Sequence, residues 1–177
     1  MAKSIWALDP THSEVGFKVK HMMFTNVSGK FKDIQVQVEN EDDDFATSKI
    51  EFSTDIHSID TNNSDRDNHL KSADFFDADK FAKMTFTSGK LEHVKDNSYK
   101  LHGDLTIKET TKPIALDVEY SGMMKDPWGN TKTAFSIEGK INRKDFGLTW
   151  NAPIEAGGVL VGEDVKLISE IQLVKQA

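Results

Sequence analysis

Cysteine is absent from the 177 residues, which excludes disulfide staples, zinc–thiolate centres and thiol nucleophiles without specifying a compartment. Long apolar runs are also missing. No stretch reaches the ~20 apolar residues that a membrane-spanning helix needs, and no apolar segment of signal-peptide length precedes Trp6, so the sequence predicts a soluble, cytoplasmic protein with no transmembrane segment. Basic charge is in the minority, 22 Lys and Arg against 29 Asp and Glu, which argues against a nucleic-acid partner because such binders gain affinity by neutralising phosphates. Arginine in particular is scarce: Arg66 and Arg143 stand alone among the cations, every other one being lysine. The length fits one domain able to bury a core without metal or disulfide.

What the chain does contain is a two-residue apolar alternation, the period of half-buried strands. It appears at Val15, Phe17 and Val19, at Ile34, Val36 and Val38, at Ile50, Phe52, Thr54 and Ile56, and at Met84 and Phe86. It returns at Tyr99, Leu101, Leu105 and Ile107 with Gly103 in phase, and at Ile114, Leu116, Val118 and Tyr120. Phe135, Ile137 and Ile141 with Gly139 in phase, and Val165, Leu167, Ile171 and Leu173, complete eight strands. Neither βαβ spacing nor a long repeat is present, so the connections read as hairpins between antiparallel neighbours. The expected fold is all-β, an eight-stranded up-and-down barrel that closes on itself and leaves no edge exposed. Inward Gly103, Gly139 and Thr54 are expected to leave room inside it.

The stretch Ile59 to Phe86 breaks the alternation. A helix is expected to start near Ser64, where a Ser, Asn or Asp caps the first backbone N–H groups and Asp65 and Asp67 suit the positive end of the helix dipole. Counting hairpins places this insert at one end of the barrel, as a lid, together with the turn from His21 to Phe24, the turn from Lys108 to Lys112 and the connection from Asn142 to Gly162. The other end receives the turns near Glu39 to Phe45, Asp96 and Trp128. Phe24, Phe75, Phe76, Phe81, Phe146 and Trp150 thus gather at one mouth with Leu70, and both arginines join them. A planar, permanently charged fork is worth choosing either to hold a ligand head group or to tie loops down. As clamps, Arg66 would engage Asp67 or Asp74 and Arg143 would engage Asp145. Exposed Met123, Met124 and Trp128 at the opposite end would suit a possible homodimer.

Three blocks carry a resemblance. The first runs from Trp6-Ala7-Leu8-Asp9-Pro10-Thr11-His12-Ser13 through Phe17 to Lys20-His21-Met22 and Val27-Ser28-Gly29-Lys30-Phe31. The second is Ser58-Ile59-Asp60-Thr61 with Arg66-Asp67-Asn68-His69-Leu70 and Asp74-Phe75-Phe76-Asp77. The third is Gly103-Asp104-Leu105-Thr106-Ile107, Thr111-Lys112-Pro113 and Asn142-Arg143-Lys144-Asp145-Phe146-Gly147-Leu148. Over nearly its whole length the chain resembles the YceI-like family of polyisoprenoid-binding proteins. That resemblance implies an extended, lipocalin-like antiparallel barrel holding a long-chain isoprenoid or fatty-acid-like amphiphile, which it would carry or store. Many members of the family carry a secretory leader. Lys108-Glu109-Thr110 stands where members commonly place a Gly before the Thr, so that turn is expected to differ in shape.

The residues expected to meet such a ligand are the inward Val15, Phe17, Val19, Val36, Phe52, Ile56, Phe86, Leu105, Ile107, Leu116, Val118, Phe135 and Ile137. At the mouth they are His21, Phe24, Arg66, His69, Leu70, Phe75, Phe76, Phe81, Arg143 and Phe146. A metal-dependent enzyme is the competing reading, since His21, His57 and His69 fall at the mouth and three imidazoles could hold a catalytic metal. Parity turns His57 outward, and HExxH spacing and a nucleophile elbow are both lacking. The sequence therefore favours a binding protein, with no cofactor and no catalytic residues. A ligand-free interaction or stress scaffold with a dry core is the third reading.

Overall fold

A computed structural model describes residues 2–22, 24–151 and 160–176. Met23 of the mouth turn and residues 152–159 of the Asn142–Gly162 connection lie outside them. Eleven strands and one helix follow in order: β1 (Lys3–Leu8), β2 (Glu14–His21), β3 (Thr25–Phe31), β4 (Ile34–Glu41), β5 (Asp44–Asp55), β6 (Ile59–Asp60), α1 (Ser64–Lys71), β7 (Lys83–Lys95), β8 (Ser98–Ile107), β9 (Thr110–Lys125), β10 (Thr131–Asn142) and β11 (Val161–Lys175). The sheet runs β1-β4-β5-β7-β8-β9-β10-β11, and β1 pairs β11, which closes an eight-stranded antiparallel barrel.

β11 is long enough to pair with two partners laid end to end. Its last residues face β1, with Trp6 opposite Lys175 and Leu8 opposite Leu173. The remainder faces β2, with Glu14 opposite Glu170 and His21 opposite Val161. The break between β1 and β2 falls at Asp9-Pro10, because proline supplies no ladder N–H. There the Asp9 carboxylate accepts from the backbone N–H and the hydroxyl of Thr11, at 3.1 and 2.7 Å. β3 then pairs with β2 and β6 pairs with β3, so the barrel wall is extended on one side by a β2–β3 hairpin. β1, β3 and the two-residue β6 are additions to the eight alternating segments read from the sequence. The Lys108–Glu109 turn puts Lys108 in the left-handed region at φ +56°.

The two ends differ in how they are shut. At the end holding the Asp42–Asp43 turn, the Phe45 ring lies 5.1 Å from Trp6, 5.1 Å from Phe135 and 5.5 Å from Tyr120, and Tyr120 stacks on Phe135 at 5.1 Å. Trp6 is wholly buried and its indole N–H donates to Asn40 Oδ1 at 3.2 Å, so that buried donor is satisfied. The other end is covered by α1 and the loop after it. Asn63 caps α1, its side-chain oxygen accepting from the Arg66 backbone N–H at 3.0 Å, with Asp65 and Asp67 in the first turn.

Three sequence expectations about the interior change. Thr54 leaves no free space, since it is 2% exposed and its hydroxyl donates to the Asp33 carbonyl at 2.6 Å. Gly103 and Gly139 do point inward, but the room they leave is taken: a Cβ at Gly103 would meet the Phe86 ring at 2.5 Å, and one at Gly139 would meet Leu116 Cδ2 at 2.3 Å. Gly29 is likewise covered by the Phe17 ring, at 2.4 Å. The glycines let three large side chains lie flat against the wall instead of standing into the lumen.

Candidate functional site

Between the aromatic plug and the lid lies a cavity of about 220 Å³. Its wall is almost entirely hydrocarbon: of the 33 residues around it, only Gly16, Arg143 and Ser169 are not Val, Leu, Ile, Phe or Met. Several inward side chains of the barrel waist, among them Phe17, Val36, Ile50, Phe52, Leu116, Ile137 and Leu167, are only partly buried although they point away from the outer surface. Close-packed interiors leave few voids larger than a water molecule, so this uncovered apolar lining belongs to a space and not to a filled core.

The strands deliver most of the residues selected from the sequence. Val15, Phe17 and Val19 come from β2, Val36 from β4, Phe52 from β5, Phe86 from β7, Leu105 and Ile107 from β8, Leu116 and Val118 from β9, and Phe135 and Ile137 from β10. The lid adds Leu70, Phe75 and Phe76, the last edge-on to Phe31 at 6.3 Å. Residues in the same phase that the selection omitted also reach the wall, including Phe31, Val38, Ile50, Leu101, Ile114, Val165, Leu167 and Ile171. Ser169, in phase with Leu167 and Ile171, was findable from the same parity.

Seven of the selected residues do not line the cavity: Ile56, Phe146, Phe24, His21, Phe81, His69 and Arg66. Ile56 opens a 3-10 turn, Ile56–Ser58, and is packed at 1% exposure, and Phe146 is packed at 2% in a second such turn, Arg143–Phe146; these turns end the strand parity. Phe24 is 83% exposed because β3 carries the hairpin beyond the mouth. His21 sits in that hairpin opposite Thr25 and Val161. Phe81 is half-buried under the Lys80 ammonium, 5.8 Å from its ring centroid. His69 pairs with Asp74 at 2.9 Å and lies edge-on to Trp150 at 4.6 Å and Phe75 at 5.1 Å.

Neither arginine uses the carboxylate expected of a clamp. Arg66 reaches back to Thr61, its Nε donating to the hydroxyl at 2.8 Å and one terminal N–H to the carbonyl at 2.5 Å. Asp67 accepts from the Thr61 N–H and hydroxyl at 2.9 and 2.5 Å, so Arg66 and Asp67 meet through Thr61. Arg143 is 3% exposed and lines the cavity, but its fork holds backbone: Nε donates to the Gly162 carbonyl at 2.7 Å, and the terminal nitrogens to Leu148, Trp150 and Val161 carbonyls at 2.5, 3.0 and 3.2 Å. Burial lowers its pKa from the ordinary value, a shift that nearby Glu163 opposes. Four carbonyl dipoles thus compensate a cation at the rim of an apolar space.

No three His, Asp or Glu side chains among the described residues converge as a metal set. His57, outside the cavity, contacts Asp55 at 3.0 Å and Asp79 at 3.1 Å, and the hydrogen bond to Asp79, then that to Asp55, raises its pKa.

The comparisons with known proteins concern the same barrel. Residues 6–173 match the family model described as a YceI-like domain. A UPF0312 protein of Staphylococcus aureus is 42% identical over 162 residues, covering 91% of this chain and 92% of that one. Among solved structures, a YCEI protein of Campylobacter jejuni superposes with a TM-score of 0.78 at 37% identity, covering 96% and 97% of the two chains. A domain from Saccharophagus degradans, described as polyisoprenoid binding and implicated in plant cell wall breakdown, superposes with a TM-score of 0.67 at 13% identity over 97% and 98%.

Proposed function

The chain belongs to the YceI-like family, and from that premise we propose that its cavity holds the hydrocarbon of a long, weakly polar lipid of the isoprenoid class, which the protein carries or stores. The observation that carries this reading is the wall itself, almost entirely hydrocarbon, with a single serine and one arginine already committed to carbonyls. A sugar, nucleotide or peptide would lose its hydrogen bonds to water there and regain none. The S. degradans neighbour supports the same ligand class by its description.

Size sharpens the reading. A dry hydrocarbon cavity of ~150 Å³ takes benzene, so by proportion about nine carbons, nearly two isoprene units, fit the 220 Å³ present here. At ~0.8 kcal/mol per buried CH₂ they contribute about 7 kcal/mol, comparable to the cost of association and ordering. Tight binding therefore requires a longer chain that moves the lid side chains Phe76 and Leu70 or the neighbouring Phe17 and extends past them.

Calorimetric titration with prenyl alcohols of increasing length tests this. Affinity should climb steeply beyond two isoprene units and then level off. Absence of heat at every length, with melting unaffected, would favour the ligand-free scaffold.

A further inference from the structure

Residues 14–32 reverse the charge of the molecule. This β2–β3 segment holds Lys18, Lys20, Lys30 and Lys32 against a single Glu14, in a chain whose net charge is −7. Because Phe17 and Val19 face the cavity, the alternate residues Lys18 and Lys20 stand on the outer face, where Lys30 and Lys18 are exposed on adjacent strands. The basic strip continues sideways. Lys18 is directly opposite Lys166 on β11, and Lys166 is directly opposite Lys140 on β10. Like charges paired in register across strands are destabilising, so this row costs the fold some stability. The carboxylates beside it, Asp60 and Asp164, are taken by Lys32 at 3.1 Å and Lys140 at 3.6 Å, and Lys144 holds Glu163 at 2.7 Å. Among the described residues Lys18, Lys20, Lys30 and Lys166 form no ion pair.

The hairpin ends in apolar side chains. From Phe31 it runs on for about 20 Å to its tip, where Met22 is 41% and Phe24 83% exposed. The turn is held by backbone bonds, Met22 N–H to the Leu160 carbonyl at 2.8 Å and Phe24 N–H to the His21 carbonyl at 3.1 Å, which leaves the Phe24 ring free of a packing role. An unpaired basic face leading to an exposed aromatic tip matches an anionic bilayer, where lysines gain from the negative headgroups and apolar side chains enter the interface.

We propose that the β2–β3 hairpin docks this protein on an anionic lipid surface, with Phe24 and Met22 in the headgroup layer and Lys18, Lys20, Lys30 and Lys166 against the phosphates. The hairpin is also a wall of the cavity, so docking places that wall at the membrane. Docking rests on the lipid-ligand reading for its purpose only, and the two are measured apart.

The test is flotation of the intact protein with vesicles of phosphatidylcholine, alone or mixed with phosphatidylglycerol, free of prenyl lipids. Binding is expected with the anionic vesicles, and to fall as salt shortens the screening length. Lys18→Gln and Lys166→Gln should each weaken it about fivefold without lowering the melting temperature, since each relieves a like-charge pair. Phe24→Ser should weaken it further and leave melting unchanged. Failure to float, equal binding to neutral vesicles, or retention of full affinity in the Lys18→Gln, Lys166→Gln double variant would overturn the proposal, including in favour of a protein partner for the tip. Uptake of a detergent-solubilised prenyl alcohol is read separately: protein that floats without uptake keeps the docking and loses the cavity reading, and uptake without flotation does the reverse.

Discussion

Gly139→Ala separates a lumen from a packed core, because the two demand opposite responses. The new Cβ would lie 2.3 Å from Leu116 Cδ2, while the nearest backbone atom, the Ala115 carbonyl oxygen, is at an ordinary 3.8 Å. Only the far end of a flexible side chain has to move, and it can move only inward. If the lumen is real, Leu116 swings into it and excludes one or two ligand methylenes, which costs about 0.8–1.6 kcal/mol or roughly a four- to fifteenfold loss of affinity for a prenyl alcohol. The unliganded protein meanwhile gains about 0.5–1 kcal/mol, since alanine has less chain entropy to lose than glycine in a strand. Chemical denaturation without ligand and calorimetric titration with it give the two numbers. In a filled core Leu116 has nowhere to go and overpacking should cost roughly 1–3 kcal/mol. That outcome, or unaltered affinity in a stable variant, would refute the open lumen. Gly103→Ala is the harsher comparison, because its Cβ would meet the Thr87 carbonyl oxygen at 2.5 Å and backbone must give way.

Arg143→Lys keeps the charge but cannot serve the four carbonyls of Gly162, Leu148, Trp150 and Val161, so stability should fall by about 2–4 kcal/mol in urea denaturation; a loss near zero would show that the fork is dispensable. Arg66→Lys, which gives up a part-buried pair of bonds to Thr61 alone, should cost nearer 1 kcal/mol by the same measurement. His57 has a raised folded pKa, from Asp79 first and Asp55 second, so its stabilising contribution is complete below about pH 6.5 and is lost as pH rises through the raised value. Its side chain is 44% exposed and Asp79 fully so, which makes the effect small; a His57→Asn variant should lack this part of the pH dependence, and an identical pH profile would remove His57 as its source.

Strand phase was legible because each apolar face repeats every two residues, and it placed Val15, Phe17, Phe52, Leu105, Leu116 and Phe135 on the lumen side, as the cavity wall has them. Hairpin parity likewise put the lid and both arginines at one end. Phase says nothing of depth along the barrel axis, however. Ile56 and Phe146 share the apolar character of lining residues, but 3-10 turns carry them into solid packing, and Phe24 lies past the mouth on a hairpin whose second strand, β3, has too few apolar residues to announce itself. The arginine partners were illegible for a different reason. Carbonyl oxygens belong to every residue, so a fork that binds backbone leaves no signature, and neighbouring Asp67 and Asp145 drew the expectation instead. Glycine at 103 and 139 announced missing volume without saying whether a void or a neighbour, here Phe86 and Leu116, would occupy it.

The most direct measurement is mass spectrometry of the organic extract of protein purified without detergent from a bacterial host, with melting recorded before and after extraction. The account predicts a lipid of the isoprenoid class in stoichiometric amount, and a lower melting temperature once it is removed, because a ligand that binds only the folded state stabilises it by mass action. An extract empty of long-chain lipid, together with unchanged melting and no uptake of added prenyl alcohol, would contradict it.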